Sequence, residues 1–283
     1  LITGAVQSNY VRSAAAAAAK LGLSCHVQLE NRVSDMPPPY HRSGNVLLSK
    51  LFGASSSTFH IGEDEAAADA NIADIAKDFA KKGKKPYLLT LSPDTKPLGA
   101  LGYIRCAGEI LDQLNNQKQS VEKIVVASGS AATHVGILLG LRLLGSEIPV
   151  HGICVRRDRN QQILRVEGIV RLAEHLIGCG KVVQNKDIKC HDDWLAPGYG
   201  KTNGLVHEAM MLAGSLEGMI VDPVYTAKSL AGAIGLYRLG VFNNSQNILY
   251  LHTGGMPALF AYEDEITEKL NGGLSIKYQN NKP

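Results

Sequence analysis

The residues of this chain that could do chemistry lie in four loops of small and hydroxyl-bearing side chains. The first is Ser128-Gly129-Ser130-Ala131-Ala132-Thr133, between an apolar run at 123–127 and a strongly apolar stretch at 134–144. A strand that passes through small residues into a helix start leaves free backbone N–H groups backed by the helix dipole, which suits an anion. Small side chains let the backbone approach a phosphate, and the hydroxyls of Ser130 and Thr133 add donors. The same pattern also describes an ordinary βα turn capped by Ser or Thr. The loop has neither the Gly-Lys-Ser/Thr of a P-loop nor the G-x-G-x-x-G spacing.

The second loop is Thr3-Gly4-Ala5-Val6-Gln7-Ser8-Asn9, where a strand end meets a helix start. Ser8 or Asn9 near the N-cap would face an anion such as a substrate carboxylate, or would simply cap the helix. The third is His252-Thr253-Gly254-Gly255, at the carboxyl end of a strand, where open α/β sheets hold ligands. A plain turn is the alternative. The fourth pairs Asp222-Pro223-Val224-Tyr225-Thr226 with Ala196-Pro197-Gly198-Tyr199-Gly200. Their hydroxyls can donate protons, although tyrosines in clefts also serve as satisfied packing residues. His134 and His207 lie on apolar helical stretches and read as core or flank residues.

These loops need a frame that gathers them. Strand patterns at 1–3, 25–29, 58–61 and 87–91 alternate with helical patterns at 8–21, 45–52, 65–82 and 99–114. Beyond Lys118, strand patterns at 123–127, 150–155, 181–184 and 247–251 accompany helices at 134–144, 161–176, 205–213 and 226–239. This βαβ rhythm predicts an α/β fold of parallel sheets flanked by helices. The Pro- and Ser-containing stretch 92–97 is the best boundary. It gives a smaller lobe at 1–98 and a larger one at 99–283, with ligands expected in the cleft between them.

Composition narrows the classes. Of 283 residues, 45% are hydrophobic and 19% charged, which is globular. A net charge of +3, with one dense basic run (Lys81, Lys82, Lys84, Lys85) that reads as a helix end, argues against a nucleic-acid partner. Five scattered cysteines without a C-x-x-C pair suit the reduced thiols of a cytoplasm. Cys190-His191 lacks the further ligands of a zinc site, so no metal is expected. No apolar run reaches the roughly 18 residues of a membrane span.

Taken in order, Gln7-Ser8-Asn9 with Val11-Arg12, Leu98-Gly99-Ala100-Leu101-Gly102-Tyr103, Ser128-Gly129-Ser130-Ala131-Ala132-Thr133-His134, Pro197-Gly198-Tyr199-Gly200, Asp222-Pro223-Val224-Tyr225-Thr226-Ala227-Lys228 and His252-Thr253-Gly254-Gly255 carry a resemblance. Across essentially its whole length the chain resembles the D-cysteine desulfhydrase and 1-aminocyclopropane-1-carboxylate deaminase family. The resemblance implies a two-lobed, tryptophan-synthase-β-like fold (fold type II), pyridoxal 5'-phosphate as cofactor, a small amino-acid substrate and a homodimer. It implies that Gly129, Ser130, Ala131, Ala132 and Thr133 cradle the cofactor phosphate and that Asn9 bonds the pyridine 3′-oxygen. Ser8 would meet the substrate, Tyr199 and Tyr225 would shuttle protons over it, and Thr226 and Thr253 would face the pyridine nitrogen.

The deaminase branch carries Glu where Thr226 stands, so the resemblance favours a carbon–sulfur lyase that releases pyruvate, ammonia and sulfide from cysteine. The alternatives are an L-cysteate sulfo-lyase releasing sulfite, the deaminase, and a non-catalytic module that binds a phosphorylated ligand. The family's Schiff-base lysine sits in a Gly-Asn-Lys segment upstream of the strand ending at Thr3. No such segment lies in the chain, which opens at Leu1, and Lys50, Lys201 and Lys228 do not match its position. A missing N-terminal segment is therefore expected to hold that lysine. Tyr10 in place of His, Ala132 in place of Gly, and Ser92-Pro93-Asp94-Thr95-Lys96 in place of a Gly-Gly-Ser-Asn type also depart from the family pattern.

Overall fold

The computed structural model describes residues 1–90 and 95–272. Its first part holds β1 (Ile2–Ala5), α1 (Asn9–Lys20), β2 (His26–Glu30), α2 (Pro38–Arg42), α3 (Gly44–Leu51), β3 (Ser55–Phe59) and α4 (Glu65–Lys81). The three strands form a parallel sheet in the order β1-β2-β3, with Ile2 opposite Val27 and Gln28 opposite Ser57. The expected strand at 87–91 amounts to one parallel bridge, Ile2 with Leu89, and its last residue lies outside the described residues. Residues 92–94 of the expected boundary also lie outside them.

Next come α5 (Leu98–Asn116), β4 (Lys123–Ser128), α6 (Ala132–Leu143), β5 (Val150–Cys154), α7 (Arg159–Ile177), β6 (Lys189–His191), α8 (Gly204–Glu217), α9 (Thr226–Arg238), β7 (Ile248–Tyr250) and α10 (Glu263–Asn271). Four of these strands form a second parallel sheet in the order β6-β5-β4-β7. The α/β class and the parallel sheets expected from the rhythm are observed. The strand expected at 181–184 is not there. The N–H groups of Val182 and Val183 donate to the Glu174 carboxylate at 2.8 and 2.9 Å, so they are unavailable to a ladder, and the strand forms at β6 instead.

The second core is built around α6, which is apolar on nearly every side and buried from His134 to Leu141, as a helix packed on all faces must be. Its close approach to α5 depends on Gly136, where a Cβ would stand 2.4 Å from the Ala100 carbonyl oxygen. The first core gathers Ile2, Val6, Val11 and Val27 with Tyr199, Val224 and Tyr262. The 3₁₀ turn Met256–Tyr262, which follows the second sheet, thus returns to pack on α2 and α3. Tyr199, in the segment between β6 and α8, and Val224, in the segment between α8 and α9, enter this first core.

Candidate active site

The loop after β4 is positioned from below. Ser128 is fully buried and its hydroxyl takes a hydrogen bond from Gln162 at 2.8 Å and lies 3.1 Å from His134 Nδ1. The Gly129 carbonyl oxygen accepts from Arg157 at 3.3 Å and from Gln162 at 3.2 Å, and the Ser130 carbonyl accepts from Arg165 at 3.1 Å. Arg156, Arg157 and Arg165 all converge on the Glu65 carboxylate at the start of α4. These arginines hold its carboxyl below the usual range despite its burial. One carboxylate of the first sheet's layer is therefore tied to both carbonyls of a loop on the second.

Among the described residues no side chain caps α6. Its N-cap is Ala131 at φ 78°, the left-handed region that residues with a Cβ avoid. The helix start thus presents its backbone donors without a side-chain oxygen on them, and Ser130 beside them is exposed. A Cβ on Gly129 would meet the Tyr225 ring at 3.6 Å, so the cradle and the tyrosine segment are adjacent. An uncapped helix start, a bare backbone at Gly129 and no carboxylate among residues 129–133 fit a phosphate group.

Tyr225 and Tyr199 face one another with their hydroxyl oxygens 2.7 Å apart. Burial pushes both phenols above their ordinary range, and Arg32 opposes this at each. The backbone of Tyr225 is fixed by Asp222, whose buried carboxylate accepts from the N–H groups of Val224 (2.9 Å), Tyr225 (3.0 Å) and Thr226 (2.8 Å). It also accepts from the Thr226 hydroxyl at 2.7 Å. A Cβ on Gly255 would stand 2.5 Å from Asp222 Oδ1, so the loop after β7 closes on the same carboxylate. Thr226 is wholly buried, whereas Thr253 is exposed, and it is Gly255 that reaches Asp222.

Ser8 caps α1 by accepting from Val11 N–H at 3.2 Å and is buried. Asn9 accepts at Oδ1 from Asn45 Nδ2 at 2.8 Å, and Asn45 in turn is held by Gln7. Tyr10, beside them, is exposed. His134 and His207 are buried and bonded to Ser128 and Thr202, in keeping with packing roles. Among the described residues no group of His, Cys, Asp and Glu could hold a metal, and no helix is long and apolar enough to cross a membrane.

Residues 1–254 match the family described as pyridoxal-phosphate dependent enzyme. The chain belongs to that family. Its cofactor is pyridoxal phosphate. Among similar curated proteins, the D-cysteine desulfhydrases of Salmonella paratyphi A and Salmonella choleraesuis are 39% and 40% identical over 267 residues, covering 94% of this chain and 79% of theirs. A solved structure described as an ACC deaminase homologue superposes with a TM-score of 0.79 at 32% identity, covering 94% of this chain and 77% of that one. O-ureido-L-serine synthase, at 14% identity and a TM-score of 0.62, covers 93% of this chain and 76% of its own and shows the shared fold. The fold is that of the fold-type-II pyridoxal-phosphate enzymes, and the chain is a pyridoxal-phosphate-dependent lyase.

Several groups that organise the site make contacts that no motif announces. Asp222, Lys228, Gln7, Asn45 and the Glu65 cluster act through partners 30 to 100 residues away or through backbone atoms. A carboxylate with a Tyr-Thr pair three and four residues on is the one available signal, since it matches an Asx-type cap at the start of α9.

Proposed function

We propose that this lyase removes the β-thiol of D-cysteine, converting cysteine and water into pyruvate, ammonia and hydrogen sulfide. The observation that carries the reading is the contact run from Gly129 to Tyr225 to Tyr199, which sets a phosphate-type cradle beside two protonated phenols. The substrate is supported by the 39–40% identity to D-cysteine desulfhydrases.

In this reading the backbone of Gly129, Ser130, Ala131, Ala132 and Thr133, with the Ser130 hydroxyl, holds the cofactor phosphate. Asn9, oriented by Asn45, serves the 3′-oxygen, and Thr226 and Thr253 lie toward the ring nitrogen. Ser8 and the start of α1 receive the substrate carboxylate. The chemistry supplied by the bound cofactor is electron withdrawal from the substrate Cα. Tyr199 and Tyr225 keep their protons at neutral pH because burial raises both phenols. One hydroxyl donates to the departing sulfur, the other replenishes it across the 2.7 Å contact, and the proton that leaves the substrate Cα restores the pair. Burial of the pair keeps bulk water from competing for those protons.

Residue 226 carries a neutral hydroxyl, bonded to Asp222, where the deaminase pattern has Glu, which favours expulsion of a good leaving group over ring opening. The proposal includes lobes at 1–98 and 99–283, divided at the stretch 92–97, a cytoplasmic location, which the unpaired cysteines suit, and a homodimer, which the family resemblance implies. The test is product analysis of the gene's complete product, loaded with pyridoxal phosphate, on D-cysteine, L-cysteine, L-cysteate and 1-aminocyclopropane-1-carboxylate. Sulfide and pyruvate in equal amounts from D-cysteine support the reading. Preferential sulfite from cysteate, 2-oxobutanoate from the cyclopropane, or no product from any of them overturns it.

A further inference from the structure

Lys228 lies two residues into α9 from Thr226 and is wholly buried, yet among the described residues no carboxylate is in direct contact with it. Its ammonium donates instead to two main-chain carbonyls, Leu195 at 3.0 Å and Gly198 at 2.5 Å. Those carbonyls are the two ends of one turn, since Gly198 N–H also donates to the Leu195 oxygen at 3.1 Å. Tyr199 is the next residue. Two neutral groups hold the flanks of the same loop: Asn203 donates to the Ala196 carbonyl, and Tyr262 donates to the Gly200 carbonyl at 2.7 Å. Lys228 is the charged member of the set.

A buried ammonium is costly unless it replaces its lost hydration with good acceptors and a countercharge. Both are present. The carbonyls solvate it, and the field of Asp222 acts against the desolvation that pulls its pKa down to about 8. The two buried charges have complementary tasks. Asp222 collects the N–H groups of the Tyr225 segment, and Lys228 collects the C=O groups of the Tyr199 segment. Their outputs meet in the 2.7 Å contact of the two hydroxyls.

We infer that Lys228 is a positioning residue: through the Leu195 and Gly198 carbonyls it sets the register of Tyr199 against Tyr225. It touches neither hydroxyl, and both of its described contacts are carbonyls. This rests on the reading of the tyrosine pair as part of the proton path, and the test separates the two claims.

Two measurements decide it on the complete, cofactor-loaded enzyme and on its unloaded form. The first is a mutant cycle of Lys228→Met and Tyr199→Phe, read as kcat and KM per folded enzyme. Lys228→Met is expected to lower kcat about 10- to 100-fold, the scale of a misplaced group, with KM within about twofold. In the Tyr199→Phe background it should cost little further. Equal losses in both backgrounds, or less folded protein with kcat per folded enzyme unchanged, overturn the inference. Where Lys228→Met does not fold, Lys228→Gln runs the same cycle.

The second measurement is hydrogen exchange on the unloaded protein, which needs no substrate. Faster exchange at Gly198 and Lys201 in the variant, with Val224 to Thr226 unchanged, supports the inference. Unchanged exchange at 195–201 overturns it, whichever substrate the enzyme takes.

Discussion

Replacing Asp222 by Asn separates an ionised cage from a neutral one. Four donors reach this carboxylate: Thr226 N–H and hydroxyl share Oδ1, and Val224 and Tyr225 N–H share Oδ2. Asn keeps one oxygen and sets an amide NH₂ against the other pair. Two buried donors then lose their acceptor, at about 1–3 kcal/mol each, so the loss is about 2–6 kcal/mol. At about 2–4 °C per kcal/mol, the melting temperature falls by about 4–24 °C. Burial pushes the Asp222 carboxyl upward while its four donors stabilise the anion, and the geometry favours the anion because each oxygen accepts twice. The assay is thermal unfolding at neutral pH beside kcat per folded enzyme, which should also drop because Tyr225 and Thr226 share the cage. A melting temperature within about 2 °C of the parent would mean that one oxygen already carries a proton and would refute the cage.

Three other perturbations probe the frame. Gly136→Ala places a Cβ 2.4 Å from the Ala100 oxygen and the Tyr103 Cβ, so overpacking of about 1–3 kcal/mol should exceed the helix-propensity gain of about 1 kcal/mol. Urea titration should show a lower midpoint at unchanged slope, and a higher midpoint would contradict the packing argument. Burial and the adjacent His191 hold His151 neutral, its pKa lowered to about 3, so the unfolded chain takes up a proton that the folded one refuses. Stability should therefore fall as pH drops from about 6.5 toward 3, and His151→Gln should flatten that slope in thermal scans; parallel slopes would count against it. Glu65→Gln strips the common partner from Arg156, Arg157 and Arg165, and it should lower stability by about 1–3 kcal/mol, below a fully buried pair because Glu65 is 18% exposed. The parent's contribution from Glu65 is present above about pH 4.5 and lost below it, because its folded pKa is depressed, so the two urea curves should converge in acid.

Much of the frame was legible because strand and helix periods differ. The run at 123–127 and the stretch that follows it announce β4, a small-residue loop and α6. The helix begins two residues earlier than the pattern suggested, since Ala131 and Ala132 carry no capping side chain and the turn is made by backbone strain at Ala131. Apolar Val182 and Val183 looked like a strand because period alone cannot see that Glu174 takes their N–H groups. Tyr199 and Tyr225 were visible as candidates, but their contact spans 26 residues and is made by Asp222 and Lys228, which act on main-chain atoms. No spacing rule encodes such partners. The Glu65 cluster was hidden for the same reason, its arginines lying 91 to 100 residues away. The exposed Thr253 marks a place where a motif was present while its glycine neighbour makes the contact.

In the proposed site the uncapped start of α6, with the loop from Gly129 to Thr133, holds a phosphate beside the tyrosine pair. Equilibrium binding of pyridoxal phosphate and of pyridoxal to the complete gene product tests it directly. Two charge-assisted hydrogen bonds at about 1.5 kcal/mol each amount to about 3 kcal/mol, so pyridoxal should bind about 100-fold more weakly. Equal affinities for the two would show that this loop does not bind the phosphate.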